Sequence, residues 1–146
     1  MEWLEQLTYQ TVALDTAPLI YFIEEHPLYL PIVVPFFEAL AGGRLRAVTS
    51  IITLLEVLVL PLKQNNLKLA QQYRNILLNT EGLSIENITP VIAESAAKLR
   101  SHHILRTPDA LQLATALQCK ASVFLTNDMR LPSLPSLPVL TLDNLK

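Results

Sequence analysis

Four aspartates occur in 146 residues: Asp15, Asp109, Asp128 and Asp143. Three of them, together with Glu56, stand where an acid could do chemistry. Asp15 follows the apolar run Val12-Ala13-Leu14. Asp109 belongs to Thr107-Pro108-Asp109, a helix start. Asp128 closes Thr126-Asn127-Asp128 behind a second apolar run. Glu56 is the only ionisable residue from Ser50 to Leu62. Each has a plainer reading. Asp15 could cap a helix, and Asp128 could belong to a turn. Asp109 would favour a helix dipole by about 0.3–1 kcal/mol. Glu56 could pair with Arg44 or Arg100.

Together they ask for more. Two acids fall at strand carboxyl ends, one at a helix start and one on a helix expected to be buried. A buried carboxylate is costly unless it is paired or ligates a metal. Carboxylates converging on one sheet edge repel and cannot all stay ionised. A hard divalent cation relieves this, and Mg²⁺ or Mn²⁺ takes oxygen ligands while keeping several waters. Zinc would want His or Cys, and His26, His102, His103 and Cys119 show no ligand spacing. His102 and His103 read as surface residues. Mutual repulsion predicts that Asp109→Asn or Asp128→Asn leaves the metal-free protein as stable or more stable.

The elements that must position these acids follow from periodicity and caps. Strands are expected at Thr11 to Leu14, Leu45 to Val48, Leu83 to Ile85, Ser122 to Leu125 and Val139 to Leu142. Helices are expected from Pro18 to His26, from Leu30 to Leu40, and from Ile51 to about Lys63 behind a Ser50 cap. Further helices follow Asn66, Thr89-Pro90 and Thr107-Pro108. The helix 51–63 is apolar nearly all round and reads as buried. Strands alternate with helices, and the strands are continuously apolar. The fold class is therefore α/β: a central, mostly parallel sheet of about four to five short strands, flanked by helices on both sides. In such a sheet the strand carboxyl ends lie along one edge.

Composition sets the limits. Apolar residues make up 51% and charged residues 16%, against a usual charged share of about 25%. Disorder is excluded, and Cys119 has no partner for a disulfide. The richest apolar stretch, Ile51 to Leu62, is shorter than the roughly 20 residues of a membrane span. Met1 to Gln10 does not read as a secretory signal. A cytoplasmic protein without membrane contact is expected. With net charge −2, any contact with nucleic acid must be local.

Dinucleotide, P-loop and nucleophile-elbow motifs are missing. A haloacid-dehalogenase-type phosphatase would need an acid at Ala17. The order of the acids resembles another family. Leu14-Asp15-Thr16-Ala17-Pro18-Leu19-Ile20 is similar to the opening of PIN-domain proteins. Ser50-Ile51-Ile52-Thr53-Leu54-Leu55-Glu56-Val57 resembles the helix that carries their Glu. Pro108-Asp109-Ala110-Leu111-Gln112-Leu113-Ala114-Thr115-Ala116 resembles their most recognisable stretch, and Phe124-Leu125-Thr126-Asn127-Asp128 their closing strand and turn. The pattern covers about residues 11–145.

The resemblance implies a single PIN-like domain over residues 1–146, with residues 1–10, including Trp3, as an N-terminal extension. It implies a divalent-metal-dependent endoribonuclease, commonly the VapC-like toxin of a type II toxin–antitoxin pair, whose products carry 5′-phosphate and 3′-hydroxyl. In that chemistry Asp15, Asp109 and Asp128 are metal ligands, and Glu56 is a ligand or orients the attacking water. Thr16, Ser50, Thr126 and Asn127 could hydrogen-bond the ligands or a phosphate. Arg106 and Arg130 could hold RNA phosphates or be solvated surface charges. Tyr21, Phe22, Tyr29 and Tyr73 read as core. Helices Leu19 to Glu25, Leu30 to Leu40 and Ile51 to Lys63 offer more apolar face than one small sheet needs. A second copy and an antitoxin are therefore the expected partners, alongside RNA. Two alternatives stand beside the nuclease: a non-catalytic PIN-fold interaction module, and a structure-specific DNA nuclease. The four acids weigh against the first. The second would need more acids and DNA-binding appendages.

Overall fold

Short apolar runs, each too brief for a helix, build a sheet at the centre of the computed structural model, which describes residues 2–146. Strands β1 (Thr11–Leu14), β2 (Arg46–Ser50), β3 (Leu83–Glu86), β4 (Val123–Thr126) and β5 (Val139–Thr141) pair in the order β3-β2-β1-β4-β5. All four pairings are parallel. The chain leaves β1 to build one side of the sheet, then returns to build the other. The order reverses between β1 and β4, where open parallel sheets form a crevice at their carboxyl ends. Leu14 pairs with Leu125 there, and the Asp15 N–H donates to the Leu125 carbonyl at 2.9 Å.

Among the described residues, eight helical segments surround the sheet: α1 (Glu2–Glu5), α2 (Thr16–Ile23), α3 (Leu30–Ala41), α4 (Ile51–Lys63), α5 (Leu67–Asn79), α6 (Pro90–His102), α7 (Thr107–Gln118) and a 3₁₀ turn at Leu142–Leu145. Side-chain alternation divides the core in two. Val12 and Leu14 face a cluster with Leu19, Phe36, Tyr73 and Leu77. Ala13 faces the other way, toward Ile92, Ala96, Leu113 and Ala114. Helices thus cover both faces, as an apolar parallel sheet requires. Among the described residues no helix is long and apolar enough to cross a membrane.

Caps set the helix starts. The Ser50, Asn66 and Thr89 side chains accept from the N–H groups of Ile52, Leu69 and Ile92. Helix α2 begins at Thr16, ahead of Pro18, because Asp15 caps it. Met1 lies outside the described residues. Trp3, in the expected extension, stacks on Phe36 at 6.4 Å between ring centroids, so α1 leans on α3. The Pro-rich loop is pinned by buried Leu131, Leu134 and Leu137.

One expectation fails. Helix α4 is not buried all round. Thr53, Val57 and Pro61 face inward, while Leu55, Val59, Leu60 and Leu62 are exposed. Glu56 is exposed as well. Its carboxylate therefore carries no burial penalty, and that part of the argument for its role lapses. An apolar composition signals burial only where neighbouring elements cover every side of the helix, and here one side is left open.

Candidate active site

Asp15 leaves the end of β1 and turns into α2. Its Oδ1 accepts the Thr16 N–H at 2.8 Å, and its Oδ2 accepts the Thr126 hydroxyl at 2.6 Å. Thr126 is the last residue of β4, so β1 and β4 are bridged at the crevice. The Thr16 hydroxyl donates to Glu56 Oε1 at 2.8 Å. Asp15, Thr16 and Glu56 thus form one connected line between α2 and α4. The ion pairs imagined for Glu56 are not made, and Arg100 instead donates to the Leu105 carbonyl and the Thr107 hydroxyl.

Burial pushes the Asp15 carboxyl above its ordinary value, against the two hydrogen bonds, and the charges of Asp109 and Glu56 push it further up. Three of the four acids therefore share an electrostatic neighbourhood. Asp109 lies in the first turn of α7, half-buried, and its Oδ2 accepts from Arg106 Nε at 3.2 Å. Asp128 closes the turn after β4. The Thr126 hydroxyl accepts the Asp128 N–H at 3.0 Å, so this one threonine holds both Asp15 and the Asp128 turn.

Asp128 departs from expectation. Arg130 forks onto it, with Nε on Oδ1 and a terminal guanidinium nitrogen on Oδ2, each at 3.0 Å. The Arg130 N–H also donates to Oδ1 at 2.9 Å. The guanidinium holds the Asp128 carboxyl below its ordinary value, and the charge of Arg106 adds to this. Asp128 is stabilised as an anion, so Asp128→Asn removes attraction, not repulsion. This pairing argues against the expected gain in metal-free stability for this residue.

Ser50 caps α4, and its N–H meets Gln112 Oε1 at 3.4 Å. Gln112 is only 3% exposed, and neither its type nor its spacing singles it out as a site residue. Its amide donates to the Thr53 hydroxyl at 2.6 Å. Thr53 shares a hydrogen bond with Thr49, which donates to the Leu14 carbonyl. This buried network locks α4 and α7 to the end of β1, directly beneath Asp15. The stretch Pro108 to Ala116 held the only hint, a lone amide among apolar helix positions. Asn127 donates to the Tyr21 hydroxyl at 3.2 Å, so Tyr21 serves the rim of the crevice as well as the core. Tyr29 and Tyr73 are buried as expected. The fourth aspartate, Asp143, accepts from the Tyr29 hydroxyl and pairs with Lys146.

The donors at this edge are all oxygens, which suits a hard cation. His26 Nδ1 is occupied, accepting the Leu28 and Tyr29 N–H groups, and His102 is exposed. Among the described residues no three His, Cys, Asp or Glu side chains are arranged to hold a metal ion as they stand. Two of the four acids hold arginines instead. The oxygen-only donor chemistry fits a hard divalent cation, with arginines seated on two of the four acids.

Residues 12–137 match the PIN domain, a span that includes all four acids. Solved structures agree with the fold. VapBC2 from Rickettsia felis, bound to a DNA fragment from its promoter, is 22% identical, covering 90% of this chain and 98% of that one at a TM-score of 0.71. A toxin–antitoxin complex from Klebsiella pneumoniae is 27% identical over 90% and 97%, at 0.67. VapC20 from Mycobacterium tuberculosis, a toxin cleaving the sarcin–ricin loop, is 17% identical over 77% and 86%, at 0.63. No curated protein matches the chain in sequence. With the family match spanning most of its length and the acids in order at the sheet's switch point, this chain belongs to the PIN-domain family.

Proposed function

We propose that this chain is a divalent-metal-dependent endoribonuclease, the cytoplasmic toxin of a toxin–antitoxin pair, built as one PIN-like domain with residues 1–10 as an extension. The observation that carries the reading is the Asp15–Thr16–Glu56 line, with Asp109 near enough to raise the Asp15 carboxyl, at the crevice between β1 and β4. A carboxylate destabilised as Asp15 is gains most from a bound cation.

Asp15, Glu56, Asp109 and Asp128 would hold Mg²⁺ or Mn²⁺. Such an ion, when bound, acidifies a water and neutralises phosphoryl charge. Thr126 fixes the direction of Asp15 and the turn carrying Asp128, so both carboxylates approach the scissile phosphate from a rigid edge. Thr16 holds Glu56 where it can ligate or accept a proton from the attacking water. Water attacks phosphorus in line as it gives up a proton, the P–O3′ bond breaks, and the 3′-oxygen takes a proton from solvent, leaving 5′-phosphate and 3′-hydroxyl ends.

The structures similar to this one include toxin–antitoxin complexes. An antitoxin suits the exposed apolar side of α4, because Glu56 sits on the same helix. An amphipathic segment could lie along Leu55, Val59 and Leu62 while a basic side chain reaches the acids. A second copy would cover other apolar surface. The arginines seated on Asp109 and Asp128 favour one other reading, a PIN-fold module that binds without cleaving.

A metal-titrated ribonuclease assay separates the two. Cleavage that needs Mg²⁺ or Mn²⁺ and is lost in Asp15→Asn supports the enzyme. A wild-type protein inert in both metals rejects it.

A further inference from the structure

Asp109 and Asp128 open onto a cleft of about 400 Å³ that is also lined by Arg100, Arg106 and Arg130. Its size falls within the range of small-ligand sites. In a chain of net charge −2, three guanidinium groups on one cleft are a local concentration of positive charge. Each is only partly engaged. Arg106 gives one N–H to Asp109. Arg130 forks onto Asp128. Arg100 is anchored to Leu105 and Thr107, which fixes its direction. Arg106 and Arg130 have side chains that are 70% and 77% exposed, so both can swing away at little cost. The two pairs also sense each other, since Asp109 acts on Arg130 and Arg106 acts on Asp128.

We propose that Arg106 and Arg130 are phosphate-binding residues stored on the acids: they neutralise Asp109 and Asp128 until a divalent ion claims the carboxylates, and then turn to the RNA backbone in the same cleft. The inference rests on the metal-dependent reading above and adds the substrate-binding groups and their order of release. The exchange is balanced in kind. A carboxylate gives up a guanidinium for a cation of higher charge, and the guanidinium gives up a carboxylate for a phosphate that it grips with the same fork. Metal and RNA then bind with mutual assistance, because each takes the half of the pair that the other leaves.

The test measures two bindings without turnover. Mn²⁺ titration of the RNA-free protein, followed by electron paramagnetic resonance, is compared for wild type, Arg130→Gln, Arg130→Lys and Arg100→Gln. Arg130→Gln should tighten Mn²⁺ by about tenfold, one order in an equilibrium constant. Arg130→Lys keeps the charge but loses the fork, and should fall between that variant and wild type. Arg100→Gln removes a charge from the same cleft without touching an acid, and should leave Mn²⁺ affinity near wild type. A mixed-sequence single-stranded RNA titrated in Ca²⁺ should bind more weakly to Arg106→Gln and Arg130→Gln, each lowering the salt slope by about 0.7 for one lost phosphate contact. Mn²⁺ binding that is unchanged or weaker in Arg130→Gln overturns the proposal, as does an unaltered salt slope, while leaving the nuclease reading in place. A wild-type protein that binds no Mn²⁺ overturns both.

Discussion

The crevice has two halves that treat the same chemical group in opposite ways. In the inner half, Asp15 is hemmed in by burial and by Asp109 and Glu56, and its carboxyl is pushed up. Among the described residues no cation is paired with Asp15, which accepts from a hydroxyl and a backbone amide. In the outer half, Asp128 is gripped by Arg130, and its carboxyl is pulled down. Convergence of acids does not by itself mean shared repulsion. A carboxylate beside a flexible arginine carries its own counter-ion, whereas Asp15, buried and out of reach of one, remains in deficit. On the proposed reading, a metal would gain most in the inner half and would compete with Arg130 in the outer half.

The largest expected effect tests that division directly. Asp15→Asn should lower metal-dependent cleavage by about a hundredfold to a thousandfold, comparable with losing one essential electrostatic group from an active site. It should also weaken Mn²⁺ binding. Asn can still cap α2, so circular dichroism should show a folded protein. If Asp15→Asn cleaves RNA as well as wild type while Asp128→Asn is dead, the inner half is not the heart of the site.

Next in size is the scaffold beneath the inner half. Gln112→Leu removes the amide that satisfies Thr53 and faces the Ser50 N–H. Leaving such groups buried without partners costs about 1–3 kcal/mol. Urea denaturation should show that loss as a lower midpoint with an unchanged slope. A neutral result would mean that the network is incidental to the placing of Asp15.

The third effect is a gain in stability. A carboxyl whose folded pKa is raised costs the native state stability above the unfolded value, about 3.9 for Asp. Wild type regains that stability as the pH falls through the folded value toward the unfolded one. In EDTA at neutral pH, Asp15→Asn should therefore melt a few degrees above wild type, and the gap should close as the pH approaches 4. A gap that stays constant with pH would point to altered packing and not to charge.

How far these halves could be read in advance depends on what kind of signal each residue leaves. The strands and caps were legible because they are local: Val12-Ala13-Leu14 ending at an acid, Ser50 before an apolar run, Thr89 before Pro90. The spacing of Asp15, Glu56, Asp109 and Asp128 carried the family, and the parallel sheet carried their shared edge. Gln112 was not legible, since its partners Thr53 and Ser50 lie some sixty positions away in sequence. Helix α4 reads as buried because its exposed leucines and valine look, residue by residue, like those of a core helix. The Arg130 fork was hidden for a different reason. Arg130 is two residues from Asp128, and a contact at that spacing depends on the turn closing through the Arg130 N–H, which composition does not reveal.

The smallest expected effect is the most diagnostic, because its sign is opposite to that at Asp15. The folded pKa of Asp128 is lowered by Arg130. Such a group adds stability above its unfolded value, and that stability is lost as the pH falls through the folded value. Asp128→Asn at pH 7 in EDTA should therefore melt slightly below wild type. The deficit should hold from pH 7 down to about 4 and fade only below it, where wild-type Asp128 takes up its own proton. It should also shrink in high salt, since Arg130 is largely exposed and its pairing is screened. Arg130→Gln should reproduce the deficit, and the double variant should add little to either single one, as expected for partners in one contact. Melting curves of Asp15→Asn and Asp128→Asn across this pH range thus diverge from wild type in opposite directions at neutral pH. If both variants shift the same way, the two halves are electrostatically one site, and the arginine acts as no counter-ion at all.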